Sequence, residues 1–91
     1  MQALSLGSTI TVAATITPTH DVHHLTGTGT ISTINPPSPS FVGVVTFILD
    51  NGSISFDNSG NLAYPAFGPP GNVAVQFYYD PNTSKWYPNY N

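Results

Sequence analysis

Three histidines, His20, His23 and His24, fall within five residues, with Asp21 among them. Imidazole binds transition metals and moves protons near neutral pH, so this cluster is the first place to look for chemistry. On a strand, His20 and His24 share one side and Asp21, His23 and Leu25 the other. His20 and His24 would then stand about 13 Å apart, too far to hold one ion within a single chain. No cofactor or metal site is therefore expected in one subunit. A site at a symmetry axis, with one histidine from each copy, is the form that metal binding would take. The alternative is hydrogen bonding of His20, His23 and His24 at a surface or interface.

Other catalytic patterns are incomplete. A Ser-His-Asp site needs a nucleophile on a strained turn, and no Gly-x-Ser-x-Gly occurs. Paired carboxylates for glycoside cleavage would have to come from Asp21, Asp50, Asp57 and Asp80, and the last three lie in turn-forming sequence. Gly27-Thr28-Gly29 is half of a dinucleotide fingerprint with no following helix. Asp57-Asn58-Ser59-Gly60-Asn61 spaces oxygens as calcium loops do, without the later glycine and bidentate glutamate. These residues predict a protein that is not an enzyme.

The aromatic residues divide into two groups. Phe41, Phe47, Phe56 and Phe77 are expected in the core. Tyr64, Tyr78, Tyr79, Trp86, Tyr87 and Tyr90 crowd the C-terminal third, where amphipathic rings pack between subunits or stack on sugars. Trp86 as a cap on the core is the competing assignment.

The elements that must position these side chains read as β structure throughout. Residues 9–17 alternate, with Ile10, Val12, Ala14 and Ile16 on one face and threonines on the other. Further strands are expected over 20–25, 28–34, 41–49, 53–56, 62–64, 73–79 and 85–87. The segment 41–49 is apolar on both faces, which suits a strand between layers or against another chain. Asp50-Asn51-Gly52 signals a hairpin. Pro36, Pro37 and Pro39 make 35–40 a stiff polyproline-like loop. No fixed-period repeat is visible. The expected fold is a compact all-β domain, an antiparallel β-sandwich or small barrel of about seven short strands. Residues 1–8 read as a flexible N-terminal arm and 9–91 as a single β domain.

Composition narrows the function classes. Of 91 residues, 5% are charged and 40% hydrophobic, with one basic side chain, Lys85, and no cysteine. One lysine cannot neutralise a run of phosphates, so nucleic acid and anionic membrane are not expected partners. The N-terminal residues lack the positive side chain and long apolar run of a secretory signal. A domain of this size has a marginal core, and disulfides are excluded. Oligomerisation is the remaining route to stability, and charge depletion leaves surface open to copies of the chain.

Several stretches taken together resemble a small β domain found in tailed-phage virion proteins. They are Ile16-Thr17-Pro18-Thr19-His20-Asp21-Val22-His23-His24-Leu25-Thr26-Gly27-Thr28-Gly29-Thr30-Ile31 running on to Ile34-Asn35-Pro36-Pro37; Phe41-x-Gly43 through Asp50; Gly60-Asn61-Leu62-Ala63; and Tyr79-Asp80 to Lys85-Trp86-Tyr87-Pro88. The resemblance covers about residues 10–88. The chain departs from it at Leu62, where isoleucine is usual, and in its proline-containing loop 65–71. What the resemblance implies is a non-catalytic, homotrimeric piece of a virus particle, made in the host cytoplasm and resident in the virion. The short chain favours a capsid decoration (cement) protein bound to the major capsid protein over a tail or fibre module that recognises a host glycan. Val42, Val44, Phe47, Trp86 and Tyr87 are the expected oligomer or docking contacts. Tyr78, Trp86 and Tyr90 are the expected stacking residues under the glycan alternative.

Overall fold

The computed structural model describes residues 6–89. Nine strands are found among them: β1 (Ile10–Thr11), β2 (Thr15–Ile16), β3 (Val22–Thr26), β4 (Gly29–Ile31), β5 (Thr33–Ile34), β6 (Gly43–Leu49), β7 (Ile54–Phe56), β8 (Val73–Asp80) and β9 (Lys85–Asn89). No helix occurs among the described residues, as the β-branched and aromatic composition dictates.

The pairing is mixed, which corrects the expectation of an antiparallel sandwich or barrel with about seven strands. One sheet runs in the order β1-β3-β6-β8-β9, and two small sheets pair β2 with β5 and β4 with β7. Antiparallel pairing is confined to β6–β8 and β8–β9; the β1–β3, β3–β6, β2–β5 and β4–β7 ladders are parallel. The chain therefore passes β1–β2, then β3–β4–β5, then β6–β7, each pass stacked in register on the one before. This is a short β-solenoid of three circuits, finished by an antiparallel β8–β9 hairpin on the free edge of β6.

Corners made by small residues explain why single strands were expected where the chain bends. Residues 9–17 break at Ala13-Ala14, and 28–34 breaks at Ser32, so that Ile31 and Ile34 both point inward. The Ala14 carbonyl accepts from both Ser32 N–H and Thr33 N–H at 3.0 Å, which locks one corner over the other. The Asp50-Asn51-Gly52 turn is likewise a corner and no hairpin. A type I′ turn needs positive φ at both central residues, and neither Asn51 nor Gly52 has it. Instead Asn51 Nδ2 donates to Gly27 O at 2.9 Å in the circuit beneath, and its Oδ1 accepts from Ser53 N–H at 2.8 Å.

The core fills the solenoid. Ile16, Leu25, Ile31, Ile34, Val45, Phe47, Leu49, Ile54, Phe56, Leu62, Val75, Phe77 and Trp86 are buried, with Phe41 and Phe67 packed against them. The described end of the expected arm is docked: Leu6 bridges Val22, and Gly7 N–H donates to Val22 O at 2.7 Å. Residues 1–5 of that arm lie outside the described residues.

Candidate functional site

The histidines follow the strand spacing in part: His24 lies on the face opposite His23 and Leu25, whereas His20 stands beside His23 and not beside His24. His20 sits in a bend before β3, so strand alternation starts two residues later and places Val22, His24 and Thr26 outward, His23 and Leu25 inward. His23 is 1% exposed. Its Nε2 accepts from Thr19 N–H at 3.0 Å and His20 N–H at 3.1 Å. Both partners are obligate donors, so the ring is neutral with its proton on Nδ1, which donates to Ser8 O at 2.7 Å. His23 thus makes three bonds to two backbone segments, at Ser8 and at Thr19-His20, and has no nitrogen left for a metal. The His20 ring meets it edge-on at 5.8 Å, and His20 Nδ1 contacts Thr19 Oγ1 at 2.8 Å. His24 is on the opposite face of the sheet, with Nδ1 2.7 Å from Asp50 Oδ1 in a half-exposed pair. Among the described residues no three metal-ligating side chains come together.

Two residues expected at a contact surface lie inside the chain. Phe47 and Trp86 are both 0% exposed, because β6 and β9 turn these positions toward the solenoid interior. Trp86 packs on Tyr79 (4.9 Å between centroids) and Phe41 (5.9 Å), and its Nε1 donates to Ile34 O at 2.8 Å. The core-cap assignment is the one the structure adopts, so Trp86 serves neither docking nor glycan stacking. Tyr90 lies outside the described residues.

Asn61, the last residue of the Asp57–Asn61 run, belongs to the framework of the fold. Asn61 Oδ1 accepts from Ile34 N–H at 2.9 Å while its Nδ2 donates to Ile34 O at 2.8 Å. The amide side chain stands in for one rung of a parallel ladder, so the third circuit closes over the second without a strand there. Asn61 backbone groups are also engaged, its N–H to Ser32 O and its C=O to Trp86 N–H. The signal for this was Asn61 lying between a glycine turn and Leu62; spacing alone does not reveal its partner 27 residues back.

What remains as a candidate site is the outer face of the five-stranded sheet. Register aligns Val44 with Tyr78 and Tyr78 with Tyr87. The next row runs Val22, Thr46, Gln76 and Asn89, and a third runs His24, Ile48 and Ala74. Val42 (70% exposed), Tyr78 (47%) and Tyr87 (39%) are the most exposed large side chains of this region. Tyr87 Oη lies 3.0 Å from Thr83 Oγ1, which fixes its ring across the face. Charge appears only at the fringe: Asp80 opposite Lys85 at one corner, and the His24–Asp50 pair at the other. The chemistry of this face is that of contact: neutral amides, hydroxyls, aliphatic groups and two neighbouring phenol rings.

No family model matches the chain, and no curated protein or solved structure matches it.

Proposed function

We propose that the chain is a non-catalytic structural protein of a virus particle, a homotrimeric decoration (cement) protein that docks on a tailed-phage head. The observation that carries this reading is the outer face of the five-stranded sheet, with Val44, Tyr78 and Tyr87 in one row, charge confined to its corners, and exposed Val42 directly before β6. A face of this kind loses little on desolvation. Each Å² of apolar surface it buries contributes roughly 25 cal/mol, offset by the cost of immobilising the partners. Phe47 and Trp86 drop out of the contact set, while Val42, Val44 and Tyr87 stay in it and Tyr78 joins them. The partners are copies of the chain and the major capsid protein. With Lys85 as the only basic side chain, nucleic acid and anionic lipid have no cationic surface to bind.

The adjacency of Tyr78 and Tyr87 favours a second reading, a tail or fibre module whose two phenol rings stack on a host glycan. Sedimentation at micromolar concentration, and co-sedimentation with the cognate undecorated head, separate the two. The decoration reading expects trimers, single or joined in twos, that bind heads, and expects Val44→Lys with Tyr78→Lys to abolish head binding while the chain stays folded. A monomer that ignores heads but retains a glycan in an array refutes decoration and supports the module.

A further inference from the structure

The two ends of the strand ladder are built differently. At the β9 edge, Trp86 N–H donates to Asn61 O and Trp86 O accepts from Ala63 N–H, both at 2.9 Å. The next residue facing the same way is Pro88, which has no N–H, and Lys85 adds a charge. A strand arriving here finds no donor, which is how natural sheets protect an edge.

Among the described residues, the opposite edge has no such protection. Val12 N–H donates to Thr26 O at 2.9 Å, so the even-numbered residues of the first circuit use their backbone groups on β3. Thr11, flanked by Thr9 and Ala13, therefore turns its N–H and C=O to the outside. On the next side of the circuit, Ala14 O and Ile16 O accept from Ser32, Thr33 and Asn35, and Thr15 faces outward in the same way. Thr9, Thr11, Ala13 and Thr15 are all exposed, and Ile10 and Val12 are only partly covered. No charged side chain occurs before Asp21, and no proline before Pro18. A solenoid normally closes its terminal circuit with a polar or charged cap; here that circuit is a bare run of threonine, isoleucine, valine and alanine.

We propose that the first-circuit edge, Thr9–Ala13, pairs with the same edge of a second copy of this chain. The occupant follows from charge. In an antiparallel contact about a twofold axis at Thr11, Thr11 meets its own duplicate while Thr9 meets the Ala13 of the copy, so a charge at the axis would face a like charge and this edge places none there. An edge with no charged side chain suits its own copy. Antiparallel pairing about that axis matches the outward N–H and C=O of Thr11 with those of the copy and covers Ile10 and Val12. The edge is distinct from the sheet face invoked for docking, so the contact goes beyond that reading. If the face forms trimers, the edge joins two of them.

The test uses the full chain and compares it with Thr9→Lys/Thr11→Lys, taking Asn58→Lys as a control on a remote exposed turn. Sedimentation should give an even-numbered assembly for the wild type, a twofold lower mass for the double variant, and no change for the control. Amide hydrogen exchange of the wild type reads the same contact without a substitution. The Thr11 amide should be protected at high concentration and should lose that protection on dilution. An unchanged mass in the double variant, or a Thr11 amide that exchanges at an unprotected rate at every concentration, overturns the proposal. Either result leaves head binding through the sheet face to be judged on its own assay.

Discussion

Trp86 Nε1 donates to the carbonyl of Ile34 at 2.8 Å across 52 residues of sequence. Ile34 belongs to the second circuit and Trp86 to the closing hairpin, and the same carbonyl accepts from Asn61 of the third circuit. One backbone oxygen therefore ties three successive layers of the chain together. The two bonds are oriented by an indole packed between Tyr79 and Phe41 and by an amide that also holds Ile34 N–H.

Replacing Trp86 separates packing from the hydrogen bond. Trp86→Phe keeps an aromatic ring in the core and loses the Nε1–H donor, at a cost of about 1 kcal/mol. Trp86→Ala opens a cavity beneath Tyr79 and should cost about 3–5 kcal/mol, a large share of the total for a small domain. Urea unfolding should show a lower midpoint at unchanged slope for the phenylalanine variant. Equal losses for the two variants would mean that the indole packing contributes little.

His23 should act as structure and as nothing else. His23→Leu fills similar space but leaves Ser8 O, Thr19 N–H and His20 N–H without their partner, which should cost about 2–3 kcal/mol. Long-range ¹⁵N–¹H correlation of the wild type should show the Nδ1–H tautomer. An Nε2–H signal would contradict the bonding described. His24→Ala, which removes an exposed pair on the other face, should change stability by under about 1 kcal/mol.

Asp57 makes a contact whose strength depends on its charge. The Ser59 hydroxyl donates to Asp57 Oδ1 at 2.7 Å and the Ser59 N–H at 3.1 Å, and these bonds hold the carboxyl below the ordinary aspartate range, the hydroxyl contributing most. A depressed carboxylate contributes stability that is present above its unfolded pKa and lost as pH falls through the folded value. Ser59→Ala should raise the Asp57 titration midpoint toward the ordinary value in a carboxyl-carbon NMR titration. The stability gap between Ser59→Ala and wild type should close on acidification. A midpoint unmoved by the substitution would show that the hydroxyl does not hold the carboxylate.

The all-β class, most strand positions and the buried phenylalanines were legible because alternation and β-branched content report local geometry. The parallel stacking was not. Register separations grow from 15 residues (Ile10 to Leu25) to 24 (Leu25 to Leu49), so the circuits leave no fixed period to detect. Corners at Ala13-Ala14 and Ser32 interrupt a strand pattern without glycine or proline to announce them. Phe47 was expected both in the core and among the contacts, and Trp86 both as a contact and as a core cap, because an apolar side chain carries no mark of which layer it faces; strand phase decides that, and phase depends on turns. His23 was hidden for the same reason: its partners are backbone groups at Ser8, Thr19 and His20, which sequence does not distinguish.

Two glycines test the stacking of the circuits directly. A Cβ at Gly60 would collide with Ser32 O and Thr33 Oγ1 and come within 2.8 Å of Ser32 C, so the third circuit rides against the second with no room for a side chain. Gly60→Ala should therefore destabilise by about 1–3 kcal/mol, since the obstacle is backbone and cannot rotate away. At Gly68 the nearest atom to a Cβ is Ser55 Cβ at 3.7 Å, an ordinary contact, and φ there is not in the left-handed region. Gly68→Ala should stabilise by about 0.4–1 kcal/mol through loss of freedom in the unfolded chain. Thermal unfolding of the pair should move the midpoint down for Gly60→Ala and up for Gly68→Ala. Equal behaviour would mean that Gly60 does not lie against Ser32, and the third circuit would have to be redrawn.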